Sequence, residues 1–72
     1  MFAYDKTWSE IEEMLEQAIE RRKGWQEWFE QSKENNDRDS MKEAARNAKA
    51  LEGVIKTLRW TLGEKGILNP LN

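Results

Sequence analysis

Two apolar stripes of the same helical spacing, separated by a hexapeptide without a single apolar residue, constrain this chain more than any other feature. In the first, Trp8, Ile11, Leu15, Ala18, Arg22, Trp25 and Phe29 recur at alternating intervals of three and four. At about 100° per residue that spacing draws one continuous line along a helix. Only Arg22 interrupts it. In the second, Met41, Ala44, Ala48, Leu51, Ile55, Leu58 and Leu62 repeat the pattern, flanked by Ala45 and Val54.

Local signals place the ends. Thr7 followed by Glu10 has the form of a capping box, in which hydroxyl and carboxylate each satisfy an otherwise unpaired backbone donor, so helix 1 is predicted over about 7–33. Glu34-Asn35-Asn36-Asp37-Arg38-Asp39 favours a turn over residues 34–39. Ser40 with Glu43 repeats the capping-box pattern and predicts helix 2 over about 40–62. Gly63 and Gly66 then offer left-handed stop positions, and Asn69-Pro70 forbids continuation. The tail 63–72 reads as irregular but apolar. Gly24 and Gly53 lie inside the helices, where each costs about 1 kcal/mol relative to alanine, so close packing is expected at both.

The whole chain, 1–72, thus reads as a single all-α domain, an antiparallel helical hairpin. With the turn centred on Asn36-Asp37, residues whose numbers add to about 73 face each other. Trp25 then opposes Ala48, Phe29 opposes Ala44 and Ala45, Leu15 opposes Leu58 and Ile11 opposes Leu62. Large rings meeting small side chains is what dense packing requires, so Trp25 and Phe29 are read as core. Trp28 lies roughly 100° from the stripe centre, beside Met14, Arg21 and Trp25. It widens the apolar face to a breadth that suits contact with two neighbours, and a dimeric four-helix bundle is the expected assembly.

Size makes the same point. A chain of 72 residues buries only about 60% of its unfolded surface, and no cysteine is present to staple it, so reinforcement is expected from a homodimer. Cysteine and histidine are both absent. That removes disulfides, thiolate zinc sites, the commonest general base and the Glu-x-x-His ligand pairs of carboxylate-bridged dimetal bundles.

Ser9, Ser32 and Ser40 are read in a cap, an exposed position and the hinge respectively, with no base in view. Glu12, Glu13 and Glu16 read as carboxylates on a water-facing helix surface, unlike the buried acid of a hydrolase. Magnesium or calcium could be held weakly by Glu13 and Glu16, though such pairs are ordinarily plain surface. No enzyme, no cofactor and no metal site is therefore expected. No run approaches the roughly 20 apolar residues needed to cross a bilayer, and Met1–Trp8 has neither basic nor apolar leader character. Membrane partners are not expected, and the cytoplasm is the expected location.

Charge is abundant at 36% yet nearly cancels, leaving −2. It is patterned all the same. Lys42, Arg46, Lys49, Gly53, Lys56 and Trp60 form a ridge opposite the second core stripe, while Glu13, Glu16, Glu20, Glu27 and Glu34 form an acidic ridge on the first helix. A solvated face is the ordinary fate of such ridges, but an indole closing a basic row is unusual. Either the apolar tail covers it through Ile67, Leu68 or Leu71, or it anchors a partner.

The reading that best fits these features is a non-enzymatic protein-binding module. An unidentified protein target would be engaged through Trp28, Trp60, Met14, Arg21, Lys49 and Lys56, with tryptophan as hot spot and charge setting orientation and association rate. The alternative is a small nucleic-acid-associated regulator using Lys42, Arg46, Lys49, Lys56, Arg59 and Trp60, its cations on phosphates and its indole on a base. Against it, the footprint is small, the acidic ridge repels a polyanion and no nucleic-acid-binding motif accompanies the ridge. A structural assembly subunit is the third possibility. In small size, high charge, many tryptophans and the lack of a catalytic set, the chain resembles in style the accessory proteins of phages and other mobile elements, many of which inhibit or redirect a host protein by binding it.

Overall fold

A computed structural model describes residues 7–67 and 70–71. Two α-helices, α1 (Trp8–Glu34) and α2 (Arg38–Thr61), pack against each other as a hairpin. The start of α1 is the predicted capping box: the Glu10 N–H donates to Thr7 Oγ1 at 3.2 Å and the Thr7 N–H donates to Glu10 Oε2 at 3.4 Å.

The turn is tighter than the sequence implied. Instead of six residues it takes three, because α1 ends in a Schellman motif. The Asn36 N–H donates to the Lys33 carbonyl and the Asp37 N–H to the Ser32 carbonyl, at 3.2 and 2.9 Å, with Asn36 in the left-handed region at φ 56°. Asp37 is at the same time the N-cap of α2. The predicted Ser40–Glu43 capping box is therefore displaced: Ser40 is already helical, and its N–H donates to Asp37 Oδ1 at 3.1 Å. Aspartate at the end of a Schellman turn offers an acceptor one turn earlier than Ser40 can, and the helix starts there.

At its far end α2 closes the same way. The Gly63 N–H donates to the Trp60 carbonyl and the Glu64 N–H to the Arg59 carbonyl, with Gly63 at φ 74°. Gly66 is also left-handed, as predicted, whereas Leu68 and Asn69 lie outside the described residues. Ile67 turns back to line a groove with Arg22, Ile55, Lys56 and Arg59.

The register follows the sequence pairing where grooves between the helices reveal it. Phe29 shares one groove with Ala44, Ala45 and Ala48 and another with Met41 and Ala45. Burial is shallower than the stripes implied. Among the described residues the fully buried apolar side chains are Ala18, Ala44 and Ile55, while Ile11, Leu15, Trp25, Phe29, Met41, Ala48, Leu51, Leu58 and Leu62 are half-buried. Two layers of one helix each cannot enclose a large ring, so Trp25 and Phe29 contribute one face to the core and show the other to water.

Three expectations are corrected. Trp8 remains 64% exposed, because the first turn of α1 extends past the level at which α2 stops and has no helix opposite it. Ser32, expected at the surface, is 1% exposed, since it continues the Trp25–Phe29 stripe by three residues into the apex where the helices converge. The glycines are not close-packing points within one hairpin, as a Cβ added at Gly24 or Gly53 would meet nothing within 4 Å.

Candidate binding surface

Helical geometry divides the hairpin into two broad sides. On α1, Gln26 and Glu30 leave the core stripe in one rotational sense and Met14, Arg21 and Trp28 in the other. On α2, Ala45, Glu52 and Lys56 lie on one flank, with Asn47, Val54 and Thr61 on the opposite one. Grooves between the helices join these flanks: Gln26 and Glu30 line one with Ala44, Ala45 and Ala48, and Arg22 lines one with Glu52, Lys56 and Arg59. The remaining flanks accordingly share the second side, which carries Met14, Arg21 and Trp28 from α1 and Asn47, Val54, Leu58 and Thr61 from α2.

The two sides differ in chemistry. The first is charged, with Glu30, Arg38, Lys42, Glu52, Lys56 and Arg59 at its grooves. Along its middle the second has Arg21 as its charged group, and its large apolar side chains stand open: Met14 is 55% exposed, Trp28 43% and Val54 43%. Pro70 and Leu71 line a groove around α2 with Ala50, Gly53, Val54, Lys56, Thr57 and Leu58. Backbone groups here are already satisfied, and hydroxyls turn inward to carbonyls one turn earlier, Thr57 to Gly53 at 2.9 Å and Thr61 to Thr57 at 2.8 Å. With its polar groups self-satisfied, such a surface offers hydrophobic contact above all.

Trp60 belongs elsewhere. It is 48% exposed on the outward edge of α2 with Lys42, Arg46, Lys49, Gly53 and Lys56, of which all but the half-buried Lys56 are exposed. Trp28 and Trp60 are not brought together: Trp28 lies level with Arg46, about 21 Å along the axis from Trp60 at 1.5 Å per residue. The six residues expected to bind a protein partner fall into two patches, Met14, Arg21 and Trp28 in one and Lys49, Lys56 and Trp60 in the other.

Neither groove described for the tail includes Trp60. Ile67 lines a groove with Arg22 and Lys56, and Pro70 and Leu71 line one with residues between Ala50 and Leu58. Leu68 lies outside the described residues.

Within the basic ridge the charges are partly engaged. Lys49 Nζ lies 3.6 Å from Glu52 Oε2, and Arg59 Nε lies 3.7 Å from Glu64 Oε2. Both pairs are largely solvated, so each contributes little to stability. Arg22, the interruption in the first stripe, lines the groove with Ile55, Lys56 and Arg59, and its Nε is shielded from solvent without a hydrogen-bond partner among the described residues. An arginine can lay its long aliphatic stem along apolar surface, which lets it occupy an otherwise apolar stripe. Sequence periodicity located Arg22 but gave no signal that it would share a groove with two further cations.

The acidic ridge is fully exposed. Glu13, Glu16 and Glu20 line a shallow outward groove with Gln17 and Arg21, yet among the described residues no three carboxylates converge on a point that would hold a metal ion. No helix among them is long and apolar enough to cross a membrane. Compared with known proteins, the chain matches no family, no curated protein and no solved structure.

Proposed function

We propose that this protein is a non-catalytic binding module that assembles as a dimeric four-helix bundle and occupies a surface of another protein through a preformed helical face. The observation that carries the reading is the exposure of two tryptophans, Trp28 at 43% and Trp60 at 48%, on rigid helical backbone. An indole held on a helix loses little conformational entropy when a partner covers it, and it supplies more contact area than any other side chain. Cytoplasmic inhibitors and regulators of the kind that phages and mobile elements direct against host proteins work by such occupation, and we place this chain in that functional class. The absence of histidine and cysteine supports binding over chemistry.

A nucleic-acid-associated role is the second reading. It is favoured by the separation of charge between the helices: α2 carries six basic and three acidic residues, a net +3. Capture from source-cell lysate separates the two. Immobilised wild type is compared with Trp28→Ala and Trp60→Ala, with and without nuclease. A protein retained by the wild type and lost from one variant supports the anchor mechanism. Identical profiles for all three chains would eliminate it, and nuclease-sensitive capture would transfer the function to Lys42, Arg46, Lys49, Lys56, Arg59 and Trp60.

A further inference from the structure

The broad side that carries Met14, Arg21, Trp28 and Val54 has the chemistry of an interface core and the dimensions of a whole interface. Methionine, tryptophan and arginine are the residue types enriched at such cores, and charged residues other than arginine are depleted there. Along its middle this side has Gln17 and Asn47 where the opposite side has Glu30, Glu52 and Lys56, and its acidic residues Glu10 and Glu43, at the helical angles of Trp28 and Thr61, stand toward its two ends. Its area also fits. A helix of 27 residues is about 40 Å long and two packed helices are about 20 Å across, giving about 800 Å², the area each partner contributes to a standard protein interface.

We infer that a second copy of this chain seats on that side, with α1 of each copy over α2 of the other and the two-fold axis parallel to the helices. The inference rests on the bundle proposed above and fixes its contact face and its orientation. Charge selects the orientation. Helix α1 carries eight acidic and four basic residues, a net −4, and α2 a net +3. A two-fold axis perpendicular to the helices would stack −4 on −4 and +3 on +3. The parallel axis sets each net-negative α1 beside a net-positive α2, and because the basic ridge itself stays outside the contact the preference acts at longer range, where salt weakens it. It also preserves axial level, so the hairpin's own register applies between copies, and Arg21 of one copy falls level with Val54 of the other.

Both Trp60 ridges stay outside this contact, because Trp60 is on the outward edge of α2. Trp28 becomes a residue of assembly and Trp60 the residue left for a different partner. The anchor role shared between two tryptophans is thereby divided.

The absence of cysteine makes the test direct. Light scattering of the wild type at micromolar concentration should give twice the chain mass. Arg21→Cys and Val54→Cys chains are then oxidised separately and as an equimolar mixture. The mixture should cross-link between the two variants at least ten times faster than Arg21→Cys alone. In the parallel arrangement the two α1 helices are diagonal, about 14 Å apart, beyond the roughly 7 Å Cα separation a disulfide spans.

A wild-type monomer would overturn the inference and the bundle together. Rapid self-cross-linking of Arg21→Cys in a dimer would overturn the orientation and leave the bundle standing. A dimer with the expected cross-link that captures no partner protein would confirm this inference while removing the binding-module reading.

Discussion

Asp37 and Ser40 are joined twice: the Ser40 N–H donates to one carboxylate oxygen of Asp37 at 3.1 Å, and the Ser40 hydroxyl to the other at 2.7 Å. The hydroxyl bond first, and then the backbone bond, stabilise the charged form and hold the Asp37 carboxyl below its ordinary value. Because the folded value is the lower one, this contribution is complete above the unfolded carboxylate range and disappears as pH falls through the folded value. Melting temperature should therefore drop on acidification below about pH 4, and Asp37→Asn, which keeps a capping acceptor but does not titrate, should flatten that drop while changing little at pH 7. Circular dichroism melts at pH 7 and pH 3, at one protein concentration, decide it; an unchanged acid slope in the variant would show that the bond carries no linkage.

Asn36 holds φ 56°, a conformation glycine adopts without the Cβ clash. Asn36→Gly should be neutral or stabilising by a few tenths of a kcal/mol, whereas Asn36→Ala should cost about 1 kcal/mol. Urea midpoints of the two variants should move in opposite directions or, at minimum, differ by that amount. Equal midpoints would mean that the turn relaxes to another geometry at no cost.

Gly53 is the converse case. It sits inside α2 and an added Cβ meets nothing within 4 Å, so Gly53→Ala should gain about 1 kcal/mol from helix propensity and a less flexible unfolded chain. That corresponds to about 4–8 °C in melting temperature for a domain of this size. A lower melting temperature would reveal a neighbour at Gly53 that one hairpin does not supply.

Ser32 is 1% exposed and its Oγ has no hydrogen-bond partner among the described residues. A shielded hydroxyl without a partner costs on the order of 1 kcal/mol or more, so Ser32→Ala should stabilise by about that amount. Ser32→Leu should destabilise by about 1–3 kcal/mol, because the apex between converging helices has no room for it. Denaturation of both variants tests this, and tolerance of leucine would contradict the tight apex.

The hairpin itself was legible because two three-four stripes and a polar break permit few alternatives, and the Thr7–Glu10 box located the first helix start to the residue. The turn was not, since Ser40–Glu43 and Asp37–Ser40 both offer capping chemistry. Which one acts depends on where Asn36 turns left-handed, a choice between rotamers and backbone states that residue types alone leave degenerate. Ser32 was misread because its polarity outweighed its position in the stripe. Trp28 and Trp60 were recognisable as the rings left off the two stripes. Their separation into two patches could not be read from helical wheels, which discard height along the axis and the hand of the hairpin.

The three-residue turn has a kinetic consequence. The tertiary packing joins two helices that are sequence neighbours, and the pairs near the turn, such as Phe29 with Ala44, close a segment of fourteen residues, most of them helical, before any more distant contact forms. Relative contact order at that end is low, the entropy of closure is small, and the helices can zip together from Asn36 outward. In the proposed dimer, association of copies, which depends on concentration, would then be the slow event, and encounter between molecules would set the time the exposed indoles spend uncovered.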